Sequence, residues 1–242
     1  MTIEPPMNGS RPTPHTFERL DRELSHLHYL LMAMGDLVNR QLKDATQAFA
    51  TQNLTLAREV MTRDAEVDEL ELRADNEILQ LFALNAPLGS DLREILMYAK
   101  SVSEMERLGN EAGLIASVPV EIPGTCESPL SVEWTEVIQP LSDAALARYG
   151  AAFRIFSVMD QEAALDFVKG QRMMDESFQA ALRELMALIQ KEVTDVKLAM
   201  SLALVAKSLE RITRHAANLA QYALFEMNGV DYRHPSCQSR PD

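Results

Sequence analysis

From Phe17 onward the apolar residues step by three and four: Phe17, Leu20, Leu24, Leu27, Leu31, Met34 and Val38, then the smaller Ala45 and Ala48. A stripe of that period, sustained over about nine turns, predicts one long straight helix packed along its whole length and ending near Thr51. Asn53 has the side chain of an N-cap. Beyond it Leu56, Val60, Val67, Leu70, Ala74, Leu81 and Leu84 form a second stripe with charges between, closed by Asn85-Ala86-Pro87-Leu88-Gly89. A third helix opens at Ser90, with Asp91 placed against the helix dipole, and runs to about Ser117.

Residues 118–131 contain Pro119, Pro123, Gly124 and Pro129 and are expected to be a non-helical linker. The plan then repeats. A fourth helix is expected over 132–159, kinked or delayed by Pro140; a fifth is capped by Asp160 and continues to Gln190; a sixth spans 194–227. Phe49 and Asn53 recur as Phe156 and Asp160, Asp68 recurs as Asp175, and Ser90-Asp91-x-Arg93 as Thr194-Asp195-x-Lys197. Glu106-Arg107 returns as Glu210-Arg211. The predicted fold is all-α: two tandem three-helix bundles, residues 17–117 and 132–227, related by a pseudo-twofold, with tails at 1–16 and 228–242.

In the last helix Leu198, Leu202, Val205, Leu209, Ile212, Ala216 and Leu219 make a core stripe. Ala199, Ala203, Ala206, Glu210, Thr213 and Ala217 make a second one about 100° round, whose small residues invite a close neighbour. Glu210 at the edge of such a face calls for a partner, and Arg214 one turn on is the nearest cation. Gly109 inside a helix marks a close approach of another helix.

Composition narrows the function classes. A net charge of −13 repels phosphate backbones and anionic lipid, so nucleic-acid binding and polybasic membrane attachment are excluded as readings. No apolar run reaches the roughly 18 residues needed to span a bilayer, and the proline-rich tail has no apolar core of a signal peptide. Cys126 and Cys237 have no metal-ligand spacing and fit a reducing cytoplasm. Gly-rich phosphate loops, a Ser-His-Asp order and His-Glu-x-x-His are all missing, so catalysis finds no support. Glu23-x-x-His26 occurs once where a di-iron bundle needs the motif twice, so His26 and His28 are read as surface histidines. His215 would suit a phosphotransfer module only with its ring exposed and free.

The repeated Asp91-Leu92-Arg93, Lys100, Glu106-Arg107-x-Gly109 and Leu209-Glu210-Arg211-Ile212 resemble the PhoU family of accessory regulators of bacterial phosphate-specific ABC transporters. Met34-Gly35-x-Leu37-Val38, Arg63-Asp64 with Asp68, and Asp231-x-Arg233-His234 extend the resemblance over roughly 17–234. It implies a cytoplasmic, often dimeric protein without turnover of its own. Such a protein restrains phosphate uptake and starvation signalling by binding the transporter's ATPase subunit and a sensor histidine kinase. The repeat motif Asp91, Arg93, Glu106, Arg107, Asp195, Glu210 and Arg211 then serves partner binding, or ion pairs that dock the helices.

The resemblance also implies metal clusters on carboxylate pairs four residues apart, which share one helix face. Here Asp64 and Asp68 keep that spacing and Glu106 is present, but Asn110 replaces its partner. The second bundle reads Gln171 with Asp175 and Glu210 with Arg214. A residual site for iron, zinc or another divalent cation on Asp64, Asp68 and Glu106 is therefore expected in the first bundle only. Arg214 is the change that argues against a second. A metal-binding bundle and a histidine phosphotransfer module stand as the alternative functions.

Overall fold

The computed structural model describes residues 14–121, 132–192 and 196–232. The elements among them are seven α-helices: α1 (Pro14–Thr51), α2 (Leu54–Asn85), α3 (Gly89–Glu121), α4 (Val132–Val158), α5 (Gln161–Lys169), α6 (Gln171–Glu192) and α7 (Val196–Asn228). The first-helix stripe is buried as its period requires: Leu24, Leu27, Leu31, Met34, Val38, Ala45 and Ala48 all face the core. Asn53 caps α2 by accepting from the amides of Thr55 and Leu56, and Asp160 caps α5 by accepting from that of Ala163. Each cap contributes about 1 kcal/mol and fixes where its hairpin turns.

Helices α1, α2 and α3 form the first bundle; α4, α5 with α6, and α7 form the second. Two boundaries, the end of α3 and the middle of the fifth helix, differ from the sequence expectation, while α4 starts at the expected residue. Helix α3 does not stop at Ser117 but continues through Val118 and Pro119 to Glu121, because both residues are buried and their packing offsets the amide hydrogen that proline lacks. Helix α4 begins at Val132 and runs through Pro140. The expected fifth helix is broken in two at Gly170, the residue of lowest helix propensity after proline, whose amide donates to the Asp166 and Val168 carbonyls. Residues 122–131, Cys126, Thr194, Asp195, Arg233, His234 and Cys237 lie outside the described residues.

The halves are joined by two helix pairs. Along one, α3 and α7 run antiparallel: Arg93 Nε donates to the Glu226 carbonyl at 3.3 Å, Glu104 meets His215, and Glu111 meets Arg211. Along the other, α1 meets α4. The buried Tyr149 hydroxyl donates to the Gly35 carbonyl at 2.7 Å, and its ring stacks on Phe153 with a 5.9 Å centroid separation. Gly35 is required for this approach, since a Cβ there would stand 2.1 Å from the Phe153 ring.

Nearby, His28 and Tyr98 pack with Phe156 at centroid distances of 6.4 and 6.1 Å. His28 is thus half-buried between the halves and is not a surface residue, because α4 covers it. His26 remains exposed, with Nδ1 2.9 Å from Glu77.

Replacing Gly35 with Val is expected to cost about 2 to 3 kcal/mol by overpacking. The double variant G35V/F153A should recover part of that loss. Urea denaturation of the two variants beside wild type measures both; equal stability of G35V and wild type would contradict the close approach.

Candidate functional site

Three of the seven residues of the repeat motif, Arg93, Arg107 and Arg211, lie on the α3–α7 seam. Glu104 is its centre, with a side chain only 5% exposed, accepting from Asn218 Nδ2 at 3.1 Å and the Tyr222 hydroxyl at 3.2 Å. The same carboxylate lies 2.6 Å from His215 Nδ1 and 3.8 Å from Arg107 Nη1. Burial alone would push the Glu104 carboxyl up, but the hydrogen bonds from His215 and Asn218 and the charges of His215 and Arg107 outweigh it and hold the value below 4.5.

About two turns further along α3, and about one turn back along α7, Arg211 Nη1 donates to Glu111 at 3.2 Å across the same seam. Of the predicted motif, then, Arg107, Arg211 and Arg93 act within the molecule. Asp91 sits in the first turn of α3 and accepts from Ser90. His215 is bound at Nδ1 and 15% exposed, unlike the free surface ring a phosphotransfer module needs.

A second constellation lies between α2 and α3. Asp68, Glu71 and Glu106 each place a carboxylate oxygen within 4.8 Å of the others. Asp64 adjoins them. Its Oδ1 and the amide Oε1 of Gln41 lie 3.6 and 3.4 Å from where a Cβ on Gly109 would stand, and its Oδ2 lies 3.9 Å from the equivalent point on Gly113. The two glycines leave α3 bare beside Asp64, a narrow notch in which a Cβ at Gly109 would already crowd Val67 at 3.3 Å.

Burial pushes both Asp64 and Glu71 up, helped for Asp64 by Asp68 and Glu106, and for Glu71 by Glu106, Asp75 and Asp68. Among the described residues no lysine or arginine pairs with any of the four carboxylates. Gln41 is wholly buried with neither amide atom hydrogen-bonded.

An all-oxygen donor set, mutual repulsion, a notch and an orphaned amide beside it fit a hard divalent cation. Asp68, Glu71 and Glu106 would hold it, with Asp64 adjoining. Two of the three expected ligands are therefore in the converging set. Glu71 enters it in place of Asp64, and Asn110, in the lost position, donates instead to Glu106.

The second bundle repeats this place with other chemistry. Gln171, Asp175, Phe178, Glu210, Thr213 and Arg214 line one pocket of about 400 Å³. By chain position these are the counterparts of Asp64, Asp68, Glu71, Glu106, Gly109 and Asn110. Glu210 is paired with Lys207 at 2.5 Å and Arg214 at 3.3 Å. The donor set does not fit a metal ion.

A family model described as the PhoU domain matches residues 31–118 and again 138–223. The chain belongs to the PhoU family. The phosphate-specific transport system accessory protein PhoU homolog of Pseudomonas putida is 29% identical over 228 residues, covering 94% of this chain and 88% of its own. The PhoU protein of Escherichia coli K12 is 26% identical over 228 residues, covering 94% and 93%.

The crystal structure of PhoU from Pseudomonas aeruginosa superposes with a TM-score of 0.80 at 28% identity over 86% of this chain and 99% of that one. The PhoU fold extends to the regulatory protein from Streptococcus pneumoniae, with a TM-score of 0.78 at 20% identity over 89% and 100%.

Within the PhoU fold, sequence reasoning missed Glu104, Glu111, Glu71, Gln41 and Arg148. Glu71 follows Asp68 by three residues, a spacing that shares a helix face. Gln41 and Arg148 interrupt otherwise apolar stripes, which is the signal of a buried polar group.

The Glu104 carboxylate gives a prediction with a definite sign. Its folded value is depressed, so its stabilisation is complete above 4.5 and is lost as pH falls through the folded value. Glu104→Gln should lower stability at pH 7 by about 2 kcal/mol, roughly 4 to 8 °C in Tm, with the difference from wild type closing below pH 4.5. Thermal melts across pH check it.

Proposed function

We propose that this protein is a non-enzymatic cytoplasmic regulator that restrains phosphate uptake and phosphate-starvation signalling. It does so as a homodimer docking on the ATPase subunit of a phosphate ABC transporter, on a sensor histidine kinase, or on both. The observation that carries the reading is continuous similarity, over 94% of the chain, to proteins named as accessory to phosphate-specific transport. The architecture is in keeping with it. Reactive side chains at the seam are spent on one another, and no helix among the described residues is long and apolar enough to cross a membrane.

Docking needs an outward apolar surface. Val196, Met200 and Leu204 recur four residues apart on α7 and are all exposed, and Leu72 and Leu79 are exposed on α2. Disrupting the gene should derepress a phosphate-starvation reporter in phosphate-rich medium. Wild type should restore repression, and the chain should co-purify with the transporter ATPase or the kinase. The double variant M200E/L204E is expected to keep its Tm and lose the co-purifying partner. A silent reporter in the disrupted strain would refute the reading.

The acidic notch supports a second element of the same function, a divalent cation bound by Asp68, Glu71 and Glu106 beside Asp64. The raised carboxyls of Asp64 and Glu71 contribute stability below their ordinary values and lose it as pH rises, so at pH 7 the metal-free cluster opposes folding. Glu106→Gln should therefore raise the Tm of chelator-treated protein by about 1 to 3 °C and abolish the further rise that Mn²⁺ gives wild type. Differential scanning fluorimetry with EDTA and with MnCl₂ reads both arms. No Mn²⁺ shift in wild type would remove the cation from the proposal.

A further inference from the structure

Arg148 of α4 is 9% exposed and takes no part in the seam or in the acidic notch. Its Nη2 donates to the Phe167 carbonyl at 2.9 Å and to Gln171 Oε1 at 2.6 Å, and its guanidinium carbon lies 3.3 Å over the Phe167 ring. Gln171 Nε2 in turn donates to Asp175 at 2.7 Å. The guanidinium thus reaches the pocket of the second bundle from inside, through one amide that passes its charge to a carboxylate.

Chain position makes Arg148 the counterpart of Gln41, since Gln41 stands before the Asn53 cap as Arg148 stands before the Asp160 cap. The two residues also occupy equivalent places in space. Gln41 converges with Asp64 over Gly109, while Arg148 bonds Gln171, which stands where Asp64 does. The site in the first half therefore has carboxylates, an orphaned amide and, among the described residues, no cation paired with those carboxylates. The other has a buried fixed cation in the amide's position and fewer carboxylates.

We propose that Arg148, standing in the position of Gln41, is a tethered cation that supplies to the second bundle the positive charge a divalent ion supplies to the first. The second bundle is then permanently in its charge-balanced form and indifferent to metal supply, and only the first responds to it. Arginine is suited to this because it keeps its charge. Burial lowers Arg148 to about 10, with Asp175 opposing, which leaves it protonated at cellular pH. Its planar face covers Phe167 while one edge bonds two oxygens, which a lysine ammonium could not match.

The assignment draws on the cation reading of the acidic notch, and its test is arranged to be independent of it. In a D68N/E106Q/R214N background, which removes the first-bundle donors and the exposed guanidinium paired with Glu210, two variants are compared. Q171D adds a carboxylate beside Asp175 and Glu210 but keeps Arg148; R148Q/Q171D adds the same carboxylate and removes the guanidinium. With MnCl₂ as the probe, Q171D should bind no Mn²⁺. R148Q/Q171D should bind one ion per chain, melt lower in EDTA, and recover that loss with Mn²⁺.

Calorimetric titration and bound-Mn²⁺ electron paramagnetic resonance read the stoichiometry, and scanning fluorimetry reads the melts. Equal Mn²⁺ binding by the two variants, or a folded R148Q/Q171D that binds none, overturns the proposal. If R148Q/Q171D folds only in Mn²⁺, that supports it. If it folds in neither condition, Q171D decides, and Mn²⁺ bound there in the presence of Arg148 overturns it. Whether the first bundle binds metal is judged separately, from wild type against D68N/E106Q.

Discussion

The buried carboxylate of Glu104 is the constraint around which the two halves are arranged. A charge removed from water costs several kcal/mol unless it is met by donors, and here all of the close donors come from the other half of the chain: His215, Asn218 and Tyr222 of α7. Such a group penalises every arrangement of the halves but one. The apolar contacts around it, by contrast, would tolerate sliding by a turn. Glu104 therefore sets the register of the seam, while the apolar residues buried on both helices, Leu108, Ile115, Leu209 and Ile212 among them, supply apolar area to the shared core.

The second helix pair between the halves works by a different device. Gly35 lets Phe153 and Tyr149 reach the backbone of α1, and the tyrosine hydroxyl finds a carbonyl there. Together the seams tie α1 to α4 and α3 to α7, so each half closes one flank of the other. The repeat is kept by the order of the helices, apart from the break at Gly170, and abandoned by the chemistry. The positions matching Asp64, Glu71 and Asn110 hold Gln171, Phe178 and Arg214.

The helices were legible because a three-and-four stripe of apolar residues has one low-energy solution, and Asn53 and Asp160 announced their turns by side-chain chemistry alone. The helix ends at Pro119 and Gly170 were not. Each depends on burial or on amide bonding that only the folded chain supplies. Glu104 was hidden for a related reason. It stands two residues from Glu106, about 200° round the helix, and nothing in the sequence says which of the two faces meets another helix. Arg214 drew notice as the cation that spoils a metal pair, yet it is 57% exposed and satisfied by Glu210, while the buried cation is Arg148. Exposure, which the sequence does not print, separates the two.

The antiparallel seam has a mechanical side. Helices α3 and α7 are 33 residues each, rods of roughly 50 Å. A tilt of roughly 5° about the middle of such a rod would move each tip by roughly 2 Å, the scale on which helix shifts switch assemblies. The core residues near the pivot hardly stir. The seam is thus a balance beam: small torques near its fulcrum are magnified toward its ends, where Val196 and Met200 lie open to whatever leans on them.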